Sequence, residues 1–238
     1  MNLILFNEDD YCGENRICLH DRRHQHIVDV HRAQPDSLLR VGQINGLCGS
    51  GKVISIDGQQ VTLEISLIQP PPAALPLTLL LALPRPKMLK RILQTVSTMG
   101  VKELYLLNSY RVDKSYWSSP LLSPAAIHEQ LQLGLEQALD TQMPNVHIRK
   151  RFKPFVEDEL PAICAHTRGL VAHPYYAIEC PEATLTPTTL AIGPEGGFIP
   201  YEIEKLTQAG LTPFQIGQRI LRVETAIPAV LSRLFPII

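Results

Sequence analysis

The sequence predicts an α/β protein in which a small β-rich segment precedes a larger segment of alternating strands and helices. Residues 1–68 contain short β-branched and alternating runs separated by turn signals. Residues 68–76 include three consecutive prolines, which cannot continue a helix or a central strand. From residue 77 onwards, short apolar runs alternate with stretches of helical periodicity. Repeated strand–helix units of this kind form a parallel sheet that helices cover on both faces.

The β-rich segment is predicted to hold four strands, at residues 3–6, 40–48, 52–56 and 61–68. Turns are predicted at 49–51 and 57–58, and a short helix with one apolar side at 20–32. The proline run gives the domain boundary. We therefore expect a first domain at 1–69, a stiff linker at 70–76 and a second domain at 77–238.

The second domain begins with LTLLLALP, a continuous apolar run typical of a strand buried on both faces. The periodicity then predicts further strands at 103–107, 146–149, 169–172, 190–192 and 213–216. Helices are predicted at 87–99, 124–139 and 154–165, in a short segment after residue 198, and from about 225 to 235. This order completes a parallel sheet of five or six strands.

Composition limits the class of protein. Hydrophobic residues make up 45% and charged residues 19%, which is typical of a globular chain. The formal net charge is −1, so any contact with nucleic acid must come from local basic patches. No apolar run is long enough to span a membrane and MNLILFNEDD has no basic start, so a soluble cytoplasmic protein is expected. The five cysteines lack CxxC spacing, which predicts reduced thiols.

Two motifs in the first segment have simple alternatives. GLCGSGKV at 46–53 fits most of a phosphate-binding loop, but Val53 stands where Ser or Thr would hold magnesium, and a glycine-rich β-turn is favoured. Four histidines crowd one segment, but no Cys or carboxylate completes a ligand set. We therefore predict no metal site there. These histidines are His20, His24, His26 and His31.

Basic side chains form candidate docking patches for a phosphate backbone. One group lies in the predicted N-terminal helix region and comprises Arg22, Arg23 and Arg32. Another lies at the start of the first α/β helix and comprises Arg85, Lys87, Lys90 and Arg91. Such clusters bind phosphates without reading sequence. The alternative is a solvated charged face.

Two stretches near the C-terminus predict a ligand pocket. IGPEGGF at 192–198 and GQRILRVETA at 217–226 each follow an apolar run that reads as a strand. Gly196 and Gly197 remove two Cβ atoms where backbone and ligand would approach closely, although such glycines also serve a simple strand-to-helix turn. Glu224 stands in the first turn of the last helix, which favours a carboxylate, and Arg222 would lie at the pocket mouth. A structural ion pair between these two side chains is the alternative.

These two stretches together resemble the signature of the RsmE family. Members of that family are S-adenosylmethionine-dependent methyltransferases of the SPOUT superfamily that methylate N3 of a uridine in 16S ribosomal RNA. HIVDVHR, which contains His26 and Arg32, and the His173–Pro174 pair are also similar to the family pattern. The resemblance implies a PUA-like, RNA-binding β-barrel followed by a SPOUT-type parallel sheet with a C-terminal trefoil knot. It also implies a homodimer.

The resemblance also implies roles for individual residues. Arg222 would stabilise negative charge on the uracil while Glu224 orients it, and no residue stands out as a general base. His26 would join the RNA-contacting residues named above. The cofactor would be held by Leu170, His173, Ile192, Gly193, Glu195, Gly196, Gly197, Ile216, Gly217, Ile220, Leu221, Arg222, Thr225 and Ala226.

The segment at 136–144 departs from the family pattern. It reads EQALDTQMP, without the arginine that the family often places there to reach RNA. The motifs for the methyl donor are therefore better kept than those for the acceptor. The alternative function is a catalytically impaired RsmE-like paralogue that acts as an RNA-binding or ribosome assembly factor.

Overall fold

The computed structural model describes residues 1–236, which form two compact units. Unit 1 comprises Met1–Ala73 together with Gln132–Met143. Unit 2 comprises Ala74–Leu131 and the chain from Pro144 onwards. The predicted second domain, 77–238, included residues 132–143, which the structure groups with unit 1. The last two residues of that predicted domain lie outside the described residues.

Unit 1 is built on a six-stranded mixed sheet in the order β1-β4-β5-β6-β3-β2. Only the β1–β4 pair is parallel. The side chains of Ile4, Phe6, Ile17 and Leu63 are fully buried in its core. The strands are β1 Ile4–Phe6, β2 Tyr11–Gly13, β3 Arg16–Leu19, β4 Leu38–Gln43, β5 Cys48–Ile56 and β6 Val61–Gln69, and the helix is α1 Asp21–Asp29.

The predicted turn at 49–51 is wrong, because these residues belong to the continuous strand β5. A Cβ atom on Gly49 would lie 1.9 Å from the carbonyl oxygen of Ser66 on β6. Glycine is therefore required by the close approach of two backbones rather than by a turn. The phosphate-binding loop is also excluded, since strand β5 continues past Lys52 where a helix would have to begin.

The prediction that all cysteines are reduced is wrong for one pair. Cys12 on β2 and Cys18 on β3 form a disulfide with a Cα–Cα distance of 5.9 Å, within the usual range for such a bond. The two strands are antiparallel neighbours, so the six-residue spacing brings the thiols together across a hairpin. Neither strand was predicted, and the pairing was therefore missed. Cys48, Cys164 and Cys180 are free.

Unit 2 contains a seven-stranded, fully parallel sheet, which confirms the predicted α/β class. The strand order is β11-β13-β10-β12-β7-β8-β9. Strand β7, which lies inside the sheet between β12 and β8, is buried at five of its six positions, as its apolar run predicted. The strands are β7 Leu77–Ala82, β8 Glu103–Leu107, β9 Asn145–Arg149, β10 Arg168–Ala172, β11 Ile178–Glu179, β12 Thr188–Ile192 and β13 Thr212–Gln215.

The helices of unit 2 follow the predicted order, with one irregularity. The helix predicted at 154–165 consists of two short α segments joined by a π-helical turn at Phe155–Glu159. Within residues 1–236, no helix combines the length and apolar character needed to cross a membrane. The helices are α2 Pro86–Thr98, α3 Pro124–Ala138, which continues into unit 1, α4 Phe152–Pro154, α5 Leu160–Cys164, α6 Pro200–Gln208 and α7 Val223–Leu234.

Candidate ligand-binding site

A cavity of about 730 Å³ opens in unit 2 at the carboxyl ends of β12, β10 and β13, which are neighbours in the sheet. Its walls come from the loops that follow these strands, at residues 173–176, 193–198 and 216–221. Open parallel sheets bind ligands at this edge, and a cavity of this size suits a cofactor-sized molecule. The pocket predicted from two loops is therefore present and has a third wall.

Most residues that the sequence predicted for the cofactor line this cavity. Leu170 does not, because it lies within β10 with its side chain buried. Arg222, Glu224 and Thr225 are also absent from the wall. The predicted residues that line it are His173, Ile192, Gly193, Glu195, Gly196, Gly197, Ile216, Gly217, Ile220, Leu221 and Ala226.

The loop at 193–198 is closed by a tight turn. The Gly197 N–H donates to the Pro194 carbonyl at 2.8 Å, and Gly197 adopts a φ of +71°, a conformation that glycine adopts without strain. The Glu195 carboxylate accepts a hydrogen bond from the Arg85 backbone N–H at 3.0 Å. This bond ties the loop to the start of α2.

Helix α6, which follows this loop, is fixed by a buried carboxylate. Glu202 is 2% exposed. Its two oxygens accept hydrogen bonds from the backbone N–H groups of Ile199, at 3.0 Å, and Tyr110, at 2.7 Å. Tyr110 lies in the loop that follows β8. The Glu202 side chain therefore joins the start of α6 to that loop.

The loop at 216–222 depends on a backbone that only glycine tolerates. Gly217 has a φ of +145°, which lies in the region closed to other L residues. Arg222 then caps α7, and its carbonyl accepts hydrogen bonds from the N–H groups of Thr225 and Ala226 at 2.9 and 2.7 Å. The Arg222 side chain is exposed. Within residues 1–236 it forms no ion pair with Glu224, so the alternative of a structural pair is not observed.

Several residues of the cavity wall were not predicted from the sequence. Arg219 and the two exposed tyrosines Tyr175 and Tyr176 line the cavity beside predicted residues. Arg111 reaches the cavity from the loop after β8. Arg219 lies inside the second motif and could have been chosen there. Arg111 has no local pattern that marks it.

His173 is the titratable group in the cavity wall whose pKa is displaced. Burial lowers its pKa below the ordinary value of 6.5, because desolvation disfavours the imidazolium. Its ring also meets the Tyr175 ring edge-on, with centroids 5.9 Å apart. The imidazole is therefore neutral at pH 7.

The predicted RNA-contacting residues of unit 1 are mostly engaged within the unit. Arg22 forms a bidentate ion pair with Glu136, at 2.9 and 2.5 Å. Arg23 is bonded to the carboxylates of Asp10 and Asp21, and its side chain is 11% exposed. The His26 ring packs edge-on against His31. Arg32 is exposed.

The basic group of unit 2 presents its charges to solvent. Arg85 precedes α2 and pairs with the Glu195 carboxylate at 4.0 Å, and Lys87, Lys90 and Arg91 lie on the first turns of the helix; all four side chains are exposed. The structure thus leaves one exposed cationic patch, at the start of α2, among the predicted RNA contacts.

In residues 1–236 no cluster of three or more His, Cys, Asp or Glu side chains could hold a metal ion.

The parallel sheet and the cavity at its carboxyl edge define an α/β protein with a candidate ligand-binding site walled by glycine-containing loops. The chain belongs to the RNA methyltransferase domain family, whose profile matches residues 71–235. It is 28% identical over 232 residues to ribosomal RNA small subunit methyltransferase E of Treponema pallidum (strain Nichols), covering 95% of this chain and 87% of the relative. The resemblance to the RsmE family stated from the motifs is confirmed.

Solved structures show the same fold. Ribosomal RNA small subunit methyltransferase E of Neisseria gonorrhoeae, bound to S-adenosylmethionine, superposes with a TM-score of 0.75 at 19% identity, covering 98% of this chain and 95% of that one. A Legionella pneumophila protein solved with the cofactor SAM gives a TM-score of 0.76 at 22% identity, with coverage of 97% and 95%. The fold of the whole described chain, including both units, is therefore shared with these proteins.

Proposed function

We propose that this protein transfers a methyl group from S-adenosylmethionine to N3 of a uridine in 16S ribosomal RNA. The observation that carries the proposal is the meeting of both signature stretches in one cavity at the strand ends. Family membership supports the reaction class, and the ribosomal RNA acceptor comes from the names of the relatives. The reaction would take place in the cytoplasm.

The cavity residues fit S-adenosylmethionine. Ile192, Ile216, Ile220 and Leu221 offer an apolar wall for the adenine and thioether parts, while the glycines of the 193–198 loop bring main-chain groups close to the ligand. The bound cofactor supplies a methyl group on a positively charged sulfur. The residues of this chain would align donor and acceptor in line, which is the main source of acceleration in such a displacement.

The uracil N3 proton must leave, and a cation near a uracil oxygen would stabilise the charge that develops. Arg222 stays our prediction for this role, and its orientation by Glu224 would require the two side chains to pair once RNA is bound, since within residues 1–236 they form no ion pair. Because both side chains lie outside the cavity wall, the base would have to approach from the cavity mouth. Such a base must be single-stranded or flipped out of its helix.

The patch at the start of α2 is the proposed RNA contact of unit 2. Its first turn contains no acidic residue, and Lys87 there lies at the positive end of the helix dipole, where a cation loses stability. A bound phosphate would reverse that penalty.

We further propose that unit 1 acts as a PUA-like RNA-binding barrel, that unit 2 contains the trefoil knot, and that the protein is a homodimer. Light scattering should then give twice the chain mass of 26.6 kDa.

Mapping modified uridines in ribosomal RNA, with and without the gene, tests the acceptor. We expect one N3-methyluridine of 16S RNA to disappear in the deletion strain and to return when purified protein and S-adenosylmethionine are added to its small subunits. Calorimetry with S-adenosylmethionine tests the donor separately. Cofactor binding without any loss of methylation in the strain would support the RNA-binding or assembly factor instead.

Affinity for S-adenosylmethionine is expected to fall as the pH drops from 7 to 5. The pKa of His173 is lowered by burial, so its neutral form is kept at pH 7 and lost as the pH falls through that lowered pKa. The imidazolium would then repel the sulfonium, and a repulsion of about 1 kcal/mol raises Kd by roughly fivefold. Calorimetric titrations across this range measure the effect.

The control for the pH prediction is His173→Gln, which should remove most of the dependence. S-adenosylhomocysteine, which lacks the sulfonium charge, should also show a smaller dependence in the wild-type protein. The free energy of unfolding should decline over the same range, because the unfolded chain takes up the His173 proton first. An equal pH slope in the His173→Gln variant would contradict the assignment.

A further inference from the structure

We propose that Arg111 is a positioning residue that holds the 193–198 loop in its ligand-binding conformation. The inference rests on the proposed binding of S-adenosylmethionine and names the group that keeps the loop ready for it. Arg111 lines the cavity, and its Nη1 donates a hydrogen bond to the Gly196 carbonyl. The two residues are 85 positions apart in the sequence.

The fit between Arg111 and Gly196 is close on both sides. A Cβ atom added to Gly196 would lie 2.9 Å from Arg111 Cδ and 3.3 Å from Arg111 Cβ. The arginine side chain therefore occupies the space that any other residue at 196 would need. This accounts for the first glycine of the pair, whereas Gly197 is accounted for by its positive φ.

The hydrogen bond also acts on the turn that closes the loop. The Gly196 carbonyl and the Gly197 N–H belong to the same peptide group, and that N–H donates to the Pro194 carbonyl at 2.8 Å. A charged donor on the carbonyl polarises the peptide and strengthens the N–H as a donor. Arg111 therefore stabilises the 194–197 turn through the backbone that the turn itself uses.

Tyr110, the residue before Arg111, supplies a second anchor for this region. The Tyr110 N–H donates to the buried Glu202 carboxylate at 2.7 Å, which in turn accepts from the Ile199 N–H. Two consecutive residues after β8 thus hold the turn of the loop and the start of α6. The loop between these two anchors cannot shift as a body without breaking at least one of them.

Arg111 is not occupied by an acidic partner. Within residues 1–236 its guanidinium forms no ion pair with a carboxylate, although Arg111 is exposed and has five N–H donors. Here the observed acceptor is a neutral main-chain carbonyl in the cavity wall, as expected for a group that shapes the loop.

Measuring S-adenosylmethionine affinity and steady-state kinetics for Arg111→Ala tests the inference. We expect Kd for the cofactor to rise about tenfold, with the KM for RNA within twofold of the wild-type value. Arg111→Lys, which keeps a charged donor, should recover part of the affinity. Arg233→Ala, which changes an exposed arginine outside the cavity, should bind the cofactor as the wild type does.

Each outcome of this experiment decides one point. Cofactor affinity of Arg111→Ala within twofold of the wild type overturns the inference. A raised KM for RNA with unchanged cofactor affinity would make Arg111 a phosphate contact instead. If the wild-type protein itself does not bind S-adenosylmethionine, the proposed function fails, and that result is distinguishable because it precedes any variant.

A double-mutant cycle tests whether Arg111 and Gly196 act on cofactor binding through one shared contact. Gly196→Ala should displace the Arg111 side chain and weaken cofactor binding by a similar factor. If the two residues act through one contact, Gly196→Ala combined with Arg111→Ala should bind no more weakly than the poorer single variant. Fully additive losses would contradict a shared role.

Discussion

Gly217→Ala is expected to weaken S-adenosylmethionine binding about tenfold or more. Gly217 has a φ of +145°, and holding an alanine there would add strain of about 1–3 kcal/mol. In the free variant the 216–221 loop would relax away from this conformation. Cofactor binding would then have to restore it, and each 1.4 kcal/mol of that strain raises Kd about tenfold. Calorimetry on the purified variant measures the change.

A second glycine provides a matched control. Added Cβ atoms at both Gly217 and Gly58 would find no heavy atom within 4 Å, but only Gly217 has a left-handed φ. Gly58→Ala, in the hairpin between β5 and β6, should therefore leave the Kd unchanged. A Gly217→Ala variant that binds as tightly as the wild type would show that the loop conformation is not needed.

Arg22→Ala is expected to destabilise unit 1 by about 1–2 kcal/mol, less than the loss of a fully buried pair because the Arg22 side chain is 39% exposed. Glu136 is 2% exposed, and removing Arg22 would leave its carboxylate buried without its cationic partner, a strongly unfavourable state. The same pairing raises the pKa of Arg22 through the hydrogen bond with Glu136. Hydrogen exchange in β1 to β6 should accelerate accordingly, and urea unfolding should begin at lower concentration.

The double variant Arg22→Met with Glu136→Leu distinguishes a structural role from an RNA contact. Replacing both charges by apolar side chains should recover most of the lost stability. If this double variant binds small-subunit RNA as the wild type does, Arg22 serves the fold alone. A stable double variant with weakened RNA binding would instead support the contact predicted from the sequence.

Much of the α/β sheet was predictable because strands such as β7 are continuous apolar runs, whereas the exposed two-residue strand β11 was not predicted. Leu77–Ala82 and Glu103–Leu107 are neighbouring interior strands of the sheet and were located closely. In unit 1, strand β2 was missed because its three residues are all exposed, and β3 was missed because its two buried residues, Ile17 and Leu19, lie in a strand of only four positions. Gly49 was wrongly predicted to lie in a turn, because a glycine needed for close approach of two backbones cannot be told from a turn glycine in a single sequence.

The candidate site was predictable where the backbone itself is unusual. The glycines at 196, 197 and 217 marked the loops that line the cavity. Arg111 could not be found, because its partner lies 85 residues away and nothing in its local sequence signals the pairing. Arg222 was predicted to lie at the mouth of the cavity because it comes directly before the last helix, α7. In a loop without periodicity no pattern orients the side chains, and Arg219 lines the cavity instead.

Unit 1 is discontinuous along the chain, and this has a consequence for its synthesis. Residues 132–143 contribute Leu135 and Glu136 to its interior, and Thr141 donates a hydrogen bond to the Gly46 carbonyl at 2.6 Å. When residue 73 has been synthesised, these partners are still about 60 residues from being made. The N-terminal sheet therefore reaches its complete form only after β7, α2, β8 and α3 have emerged, so folding of unit 1 is completed while unit 2 is still being synthesised.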